Sequence, residues 1–110
     1  MQNDYPKLVR RLKELNFSDG QIAALTYSSE RSVQNWLSRR STPSPLVVQQ
    51  LARVIQLVED LRMLVNPVAF NDWFFHTNQF LGKSPYQAII EGDYNKLHRL
   101  TLSLAEGPFA

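Results

Sequence analysis

Between Leu46 and Val65 the chain carries 13 apolar residues in 20: Leu46, Val47, Val48, Leu51, Ala52, Val54, Ile55, Leu57, Val58, Leu61, Met63, Leu64 and Val65. Gln49, Arg53, Gln56 and Asp60 form a narrow polar stripe at spacings of four, three and four, which is the period of a helix. A surface helix needs an apolar arc of only about 100°. This one exceeds that, so it must be covered on two sides, by both halves of the chain or by another subunit. Its ends are marked. Ser44 is placed to cap it, with Pro45 at the first helical position, and Asn66-Pro67 stops it.

The rest of the chain also reads as helices. Leu8, Val9, Leu12 and Leu15 recur at helical spacing in a first helix over 5–15. Ser18 and Gln21 form a capping box for a short second helix over 19–26, with Ile22, Ala23 and Leu25 inward. Tyr27-Ser28 is a turn. Ser29 caps a third helix over 30–38, whose inner face is Val33, Trp36 and Leu37. After the long helix, Phe70, Trp73, Phe74 and Phe80 lie near helical spacing in one element. Leu81-Gly82-Lys83 turns into a second capping box, Ser84-Pro85-Tyr86-Gln87, ahead of Ala88, Ile89 and Ile90. Gly92 ends that helix. Asp93 caps the last one, with Leu97, Leu100 and Leu104 inward up to Gly107-Pro108.

Composition removes several function classes. The 110 residues contain no cysteine, which excludes a disulfide framework, a thiol nucleophile and a cysteine-based zinc site. Two histidines, His76 and His98, cannot build a histidine-rich metal site. There is no paired nucleophile and base and no phosphate-cradling glycine loop, so the expectation is a non-enzyme with no catalytic residue, metal or cofactor. No apolar run approaches the ~18 residues of a membrane span, and the start lacks the features of a signal peptide. The expected location is the cytoplasm, with no membrane partner. The charge is uneven. Residues 5–53 carry eight basic side chains against three acidic ones, a net of +5, whereas residues 66–110 carry three against four, a net of −1. A basic front half suits a polyanion.

Residues 19–38 give that half a chemistry. A helix-turn-helix that reads DNA needs a small residue where its helices cross, and a second helix with an apolar inner face and a polar outer face. Ala23 is the small residue. Val33 and Trp36 are inner anchors, and Glu30, Arg31, Gln34 and Ser38 are left outside as candidate base contacts. Arginine matches guanine O6 and N7, and glutamine matches adenine N6 and N7. Glu30 either accepts from cytosine N4, pairs with Arg31, or repels phosphate. Gln21 and Ser29 near helix N-termini, and Arg39 and Arg40 after the reading helix, are candidate phosphate contacts.

The stretch Ile22-Ala23, Leu25, Ser29, Val33, Trp36-Leu37, Arg39-Arg40 and Pro43 resembles the Xre family of bacterial helix-turn-helix regulators. Tyr27 departs from the glycine usual in that turn, so it must take a positive φ or remodel the turn. Thr26 and Ser28 stand where the family usually has leucine and valine. Further on, Trp73-Phe74, Leu81-Gly82-Lys83-Ser84-Pro85, Ile89-Ile90, Gly92-Asp93 and Leu97 resemble the C-terminal domain shared by Xre, MbcA and ParS antitoxins. That resemblance implies a toxin-binding module whose partners have the RES fold and consume NAD.

The expectation is therefore an all-α chain with three parts: a helix-turn-helix region at 1–44, a long connecting helix at 45–66 and a C-terminal helical module at 67–110. Its expected function is sequence-specific DNA binding, as a transcriptional regulator acting as a dimer or higher oligomer on a palindromic operator. Two recognition helices about 34 Å apart on one face of the duplex multiply affinity. Leu57, Leu61, Trp73, Phe74, Phe75, Tyr86 and Phe109 are the candidate oligomer or toxin interface. Two alternatives stand beside this: an antitoxin that neutralises a RES-type toxin and represses its own operon, and a protein-interaction module that no longer binds DNA. Only Pro108-Phe109-Ala110 follow Gly107, leaving little chain to reach a toxin's active site, which tips the reading towards the free-standing regulator.

Overall fold

In a computed structural model describing residues 5–107, the chain is all-α. The helices are α1 (Tyr5–Glu14), α2 (Asp19–Leu25), α3 (Glu30–Leu37), α4 (Pro45–Leu64), α5 (Phe70–Phe75), α6 (Pro85–Glu91) and α7 (Tyr94–Glu106). No strand occurs among the described residues. The chain divides into two compact units inside α4, between Gln56 and Leu57.

In the N-terminal unit α2 packs on α3, and α1 packs on both. Val9, Leu12, Leu15, Phe17, Ile22, Ala23, Leu25, Val33 and Trp36 are buried there, joined by Leu51 and Val54 of α4. The caps form as their residue types require. Ser18 Oγ accepts from Gln21 N at 3.1 Å, while Ser18 N donates to Gln21 Oε1 at 2.9 Å. Ser29 Oγ accepts from Ser32 N at 3.0 Å, and Ser44 Oγ from Val47 N at 3.3 Å.

The C-termini of α1, α2 and α3 share one device. Each closes with a residue in the left-handed region, Asn16 (φ 72°), Tyr27 (φ 57°) and Arg39 (φ 61°). The next amide then donates back to the last turn: Phe17 N to Leu12 O at 3.1 Å, Ser28 N to Ala23 O at 2.8 Å, and Arg40 N to Asn35 O at 2.8 Å. This is the Schellman arrangement, built without glycine. Tyr27 thus takes the positive φ rather than remodelling the turn. Thr26 is buried beside it, and its hydroxyl donates to Ile22 O at 2.8 Å, so a polar residue fits an apolar position. Gln50 Nε2 donates to Leu25 O at 3.0 Å and satisfies the end of α2.

In the C-terminal unit α5 packs on α6, and α6 on α7. Val58, Leu61, Phe70, Phe74, Leu81, Ala88, Ile89, Leu97 and Leu100 are buried. Four expectations are corrected here. Phe80 is not in the helix of Phe70. The backbone turns extended at His76, and Asn78 Oδ1 accepts from Phe80 N at 2.8 Å, which builds a turn and leaves the Phe80 ring 52% exposed. The second capping box is half made: Ser84 Oγ accepts from Gln87 N at 2.9 Å, but the Gln87 amide donates to Glu91 instead. Asp93 does not cap α7 with its side chain, because that carboxylate meets Lys83. Leu104 is half-buried, unlike Leu97 and Leu100.

The apolar excess of α4 is not fully covered. Leu51, Val54, Val58 and Leu61 form a buried line, but Leu46 and Met63 are 77% and 87% exposed. No helix among the described residues is long and apolar enough to cross a membrane.

Candidate functional site

Two surfaces carry the chemistry, one on each unit. On the first, α3 turns Val33 and Trp36 inward and leaves Glu30, Arg31 and Gln34 exposed. Ser38 is exposed as the C-cap residue, its hydroxyl donating to Asn35 O at 3.3 Å. Arg39 and Arg40 follow in the Schellman turn, both exposed. No described side chain pairs with the guanidinium groups of Arg31, Arg39 or Arg40. Ser29 and Gln21 are occupied as caps, though the Gln21 Nε2 donors stay outside the capping box.

Sequence spacing gave no sign of an acidic partner for this face. Asp19, the first residue of α2, accepts from Lys13 Nζ of α1 through Oδ1 at 2.8 Å. Its Oδ2 accepts from Gln34 Nε2 of α3 at 3.5 Å. The Glu30 carboxylate lies over Gly20, with Oε2 3.5 Å from where a Cβ at that position would sit. It therefore leans back towards α2 rather than along α3.

The second surface is aromatic. Phe74 is buried, stacked on Phe70 at 5.3 Å and edge-on to Phe75 at 5.2 Å. Phase separation of the three consecutive aromatics follows from the helix: Phe74 points in, while Trp73 and Phe75 are half-buried on its flanks. Tyr86 of α6 meets Phe75 at 5.0 Å, and burial raises its phenol above the ordinary value. Of the other candidate interface residues, Leu61 is fully buried in the chain's own core and Leu57 is half-buried. Phe74 and Leu61 thus present no surface to a partner in this conformation. Phe109 lies outside the described residues. Met63, 87% exposed, belongs to the apolar excess of α4 expected to need cover, whereas Val68, 94% exposed between α4 and α5, was not singled out from sequence.

The motif residues between α5 and α7 form one ion cluster. Lys83 Nζ pairs with Glu91 at the end of α6, and with Asp93 Oδ2 at 2.5 Å just before α7. Gly82 and Gly92 supply the left-handed turns on either side, at φ 75° and 77°. The Lys83 ammonium holds both carboxyls below their usual range, and their hydrogen bonds, that of Asp93 first, hold Lys83 above its own. Lowered carboxylate pKa values stabilise the fold above about pH 4 and lose that effect in acid; a raised lysine stabilises below about pH 10 and loses it in base. Lys83→Met is therefore expected to lower unfolding stability at neutral pH. Its denaturation curve should converge on that of the parent both in acid and well above pH 10. Urea titrations across the pH range check this, and a constant deficit at every pH would show a packing role instead.

No protein-family model matches the chain. No curated protein matches it either. A solved structure does: a chain in the crystal structure of the M. tuberculosis MbcT-MbcA toxin-antitoxin complex superposes with a TM-score of 0.78, covering 98% of this chain and 99% of that one. The chain shares its fold with that protein. At 24% identity the likeness is one of fold, and it runs through both units. Among the described residues no group of three or more His, Asp or Glu side chains is arranged to hold a metal ion.

Proposed function

We propose that this chain is the antitoxin of a toxin–antitoxin pair, with the C-terminal unit holding the toxin and the N-terminal unit binding the operator of the pair. The observation that carries this is the likeness of fold over 98% of the chain to a component of such a complex. The likeness runs through both units, which favours the antitoxin reading over a free-standing regulator.

The toxin surface is assigned to Trp73, Phe75 and Tyr86, which are already partly buried: Phe75 and Tyr86 pack on each other at 5.0 Å, and Trp73 is tilted against Phe70 at 6.0 Å. Rigid aromatic anchors of this kind lose little side-chain entropy on binding and dominate interface energetics. The resemblance to the Xre/MbcA/ParS C-terminal domain points to a RES-type, NAD-consuming toxin as partner. The antitoxin itself performs no catalysis and uses no cofactor. It acts by occupying the toxin in the cytoplasm.

Operator binding is assigned to α3. Arg31 and Gln34 reach base edges, and Arg39 and Arg40 lie on phosphates. Self-association places two α3 helices on a palindrome. A pure interaction module remains the competing class, allowed by Glu30 on the reading face. Co-expression with the protein encoded beside this one tests the whole reading. The wild-type chain should relieve growth arrest and repress a reporter placed behind the upstream DNA. Trp73→Ala or Tyr86→Ala should weaken toxin binding by about 30-fold, as for a hot-spot residue, and leave repression unchanged. Arg39→Ala with Arg40→Ala should do the reverse and weaken binding to all DNA sequences alike. Growth arrest that persists with the wild-type chain would overturn the antitoxin reading. Repression that survives loss of Arg31 and Gln34 would overturn the α3 assignment.

A further inference from the structure

We infer that Asp19, which itself touches no base, sets the base that Gln34 reads, selecting adenine over guanine. The inference rests on the operator-binding half of the proposed function and deepens it.

A carboxylate only accepts hydrogen bonds, so the Gln34 end that faces Asp19 Oδ2 at 3.5 Å is Nε2 and not Oε1. The carboxylate is itself held in place: Lys13 Nζ donates to its other oxygen at 2.8 Å and offsets its charge. Residues of α1, α2 and α3 thereby meet on one acidic group. A glutamine amide has two N–H donors and one oxygen acceptor. With one N–H given to Asp19, the exposed amide keeps one donor and one acceptor. Adenine offers the complement of that pair in the major groove, an N7 acceptor and an N6 donor. Guanine offers two acceptors, N7 and O6, and to engage both Gln34 needs the N–H that Asp19 holds. Holding the amide in one orientation also lowers the entropy lost when it meets the base.

The test uses the full chain and a pool of duplexes with a randomised core. Selected duplexes are then varied to each base pair at every position and measured by fluorescence anisotropy. The wild-type chain should prefer adenine to guanine at one position per half-site by about tenfold or more, the range of a good bidentate contact. Gln34→Ala should abolish preference there. Asp19→Ala should bring adenine and guanine within about threefold at that position only. Asp19→Asn, whose amide oxygen still accepts, should keep the adenine preference. Circular dichroism and thermal melts matched to wild type establish that each variant is folded. If Asp19→Ala raises affinity for every duplex by one factor and leaves the adenine-to-guanine ratio intact, Asp19 is only a charge near DNA and the inference is overturned. An Asp19→Asn variant that behaves like Asp19→Ala overturns it too. A wild-type chain without base preference at any position overturns the operator reading itself, and this inference with it.

Discussion

Phe74→Ala is expected to cost the C-terminal unit about 3–5 kcal/mol, the range for truncating a fully buried aromatic. Phe74 is fully buried, with rings on three sides: Phe70 at 5.3 Å, Phe75 at 5.2 Å and Tyr86 at 6.2 Å. None of them can move in to refill the space without leaving its own contacts. A domain's net stability is only about 5–15 kcal/mol, and small domains lie at the lower end. The variant unit should therefore sit at the edge of unfolding at 25 °C. The chain has two tryptophans, Trp36 in the N-terminal unit and Trp73 in the C-terminal one. In a Trp36→Phe background, urea titration followed by Trp73 fluorescence reports on the C-terminal unit alone. Phe75→Ala, next in sequence but half-buried, should cost roughly half as much. Equal losses for the two would mean that the helix does not divide them as described, and a loss below about 1 kcal/mol at Phe74 would remove it from the core.

That division was partly legible in the sequence. Three consecutive aromatics cannot share one helix face, so at least one had to lie apart from the core. Which one was not legible, because helical phase depends on where α5 begins and ends. Asn66 and Pro67 mark the end of α4, but no strong N-cap precedes α5, and Ala69 occupies that place without a side-chain hydrogen bond. The phase therefore came from tertiary packing. Phe80 is the same lesson in reverse. Its spacing suited the helix, but the Asn78 side chain can serve as a local acceptor, and such a residue offers the backbone an alternative to helix.

Caps were the most legible features. Ser18, Ser29, Ser44 and Ser84 all accept from the amide three residues on, because a hydroxyl at that position satisfies a donor that the helix leaves open. The left-handed ends at Asn16 and Arg39 carried no glycine to announce them. Pairings across elements were invisible for a more basic reason. Lys83 with Asp93, and Gln34 with Asp19, join residues 10 and 15 positions apart, and no local periodicity relates such positions. Asp93 showed the competition openly. It had the residue type of a cap and the position of one, and a nearby ammonium took its carboxylate. The candidate reading face was legible as a list of exposed polar residues, but not as a set with an acid behind it.

The N-terminal unit allows fold and recognition to be separated by a second large effect. Trp36→Ala is expected to cost about 3–5 kcal/mol. The ring is 5% exposed on the inner face of α3, in the same core as Val33, Leu12 and Ile22. Gln34→Ala and Arg31→Ala, on the outer face of the same helix, should stay within about 0.5 kcal/mol of wild type. Trp36→Ala should therefore abolish DNA binding by unfolding the unit, with loss of helical circular dichroism at 25 °C. The outer-face variants should change DNA binding with the melt untouched. Trp36 lies in a helix proposed to face DNA, where an exposed aromatic would be read as a stacking platform. Such a platform would lose affinity and keep stability on truncation. A Trp36→Ala chain that melts like wild type would move that residue to the binding face and reverse the two sides of α3, and with them the roles given to Arg31 and Gln34.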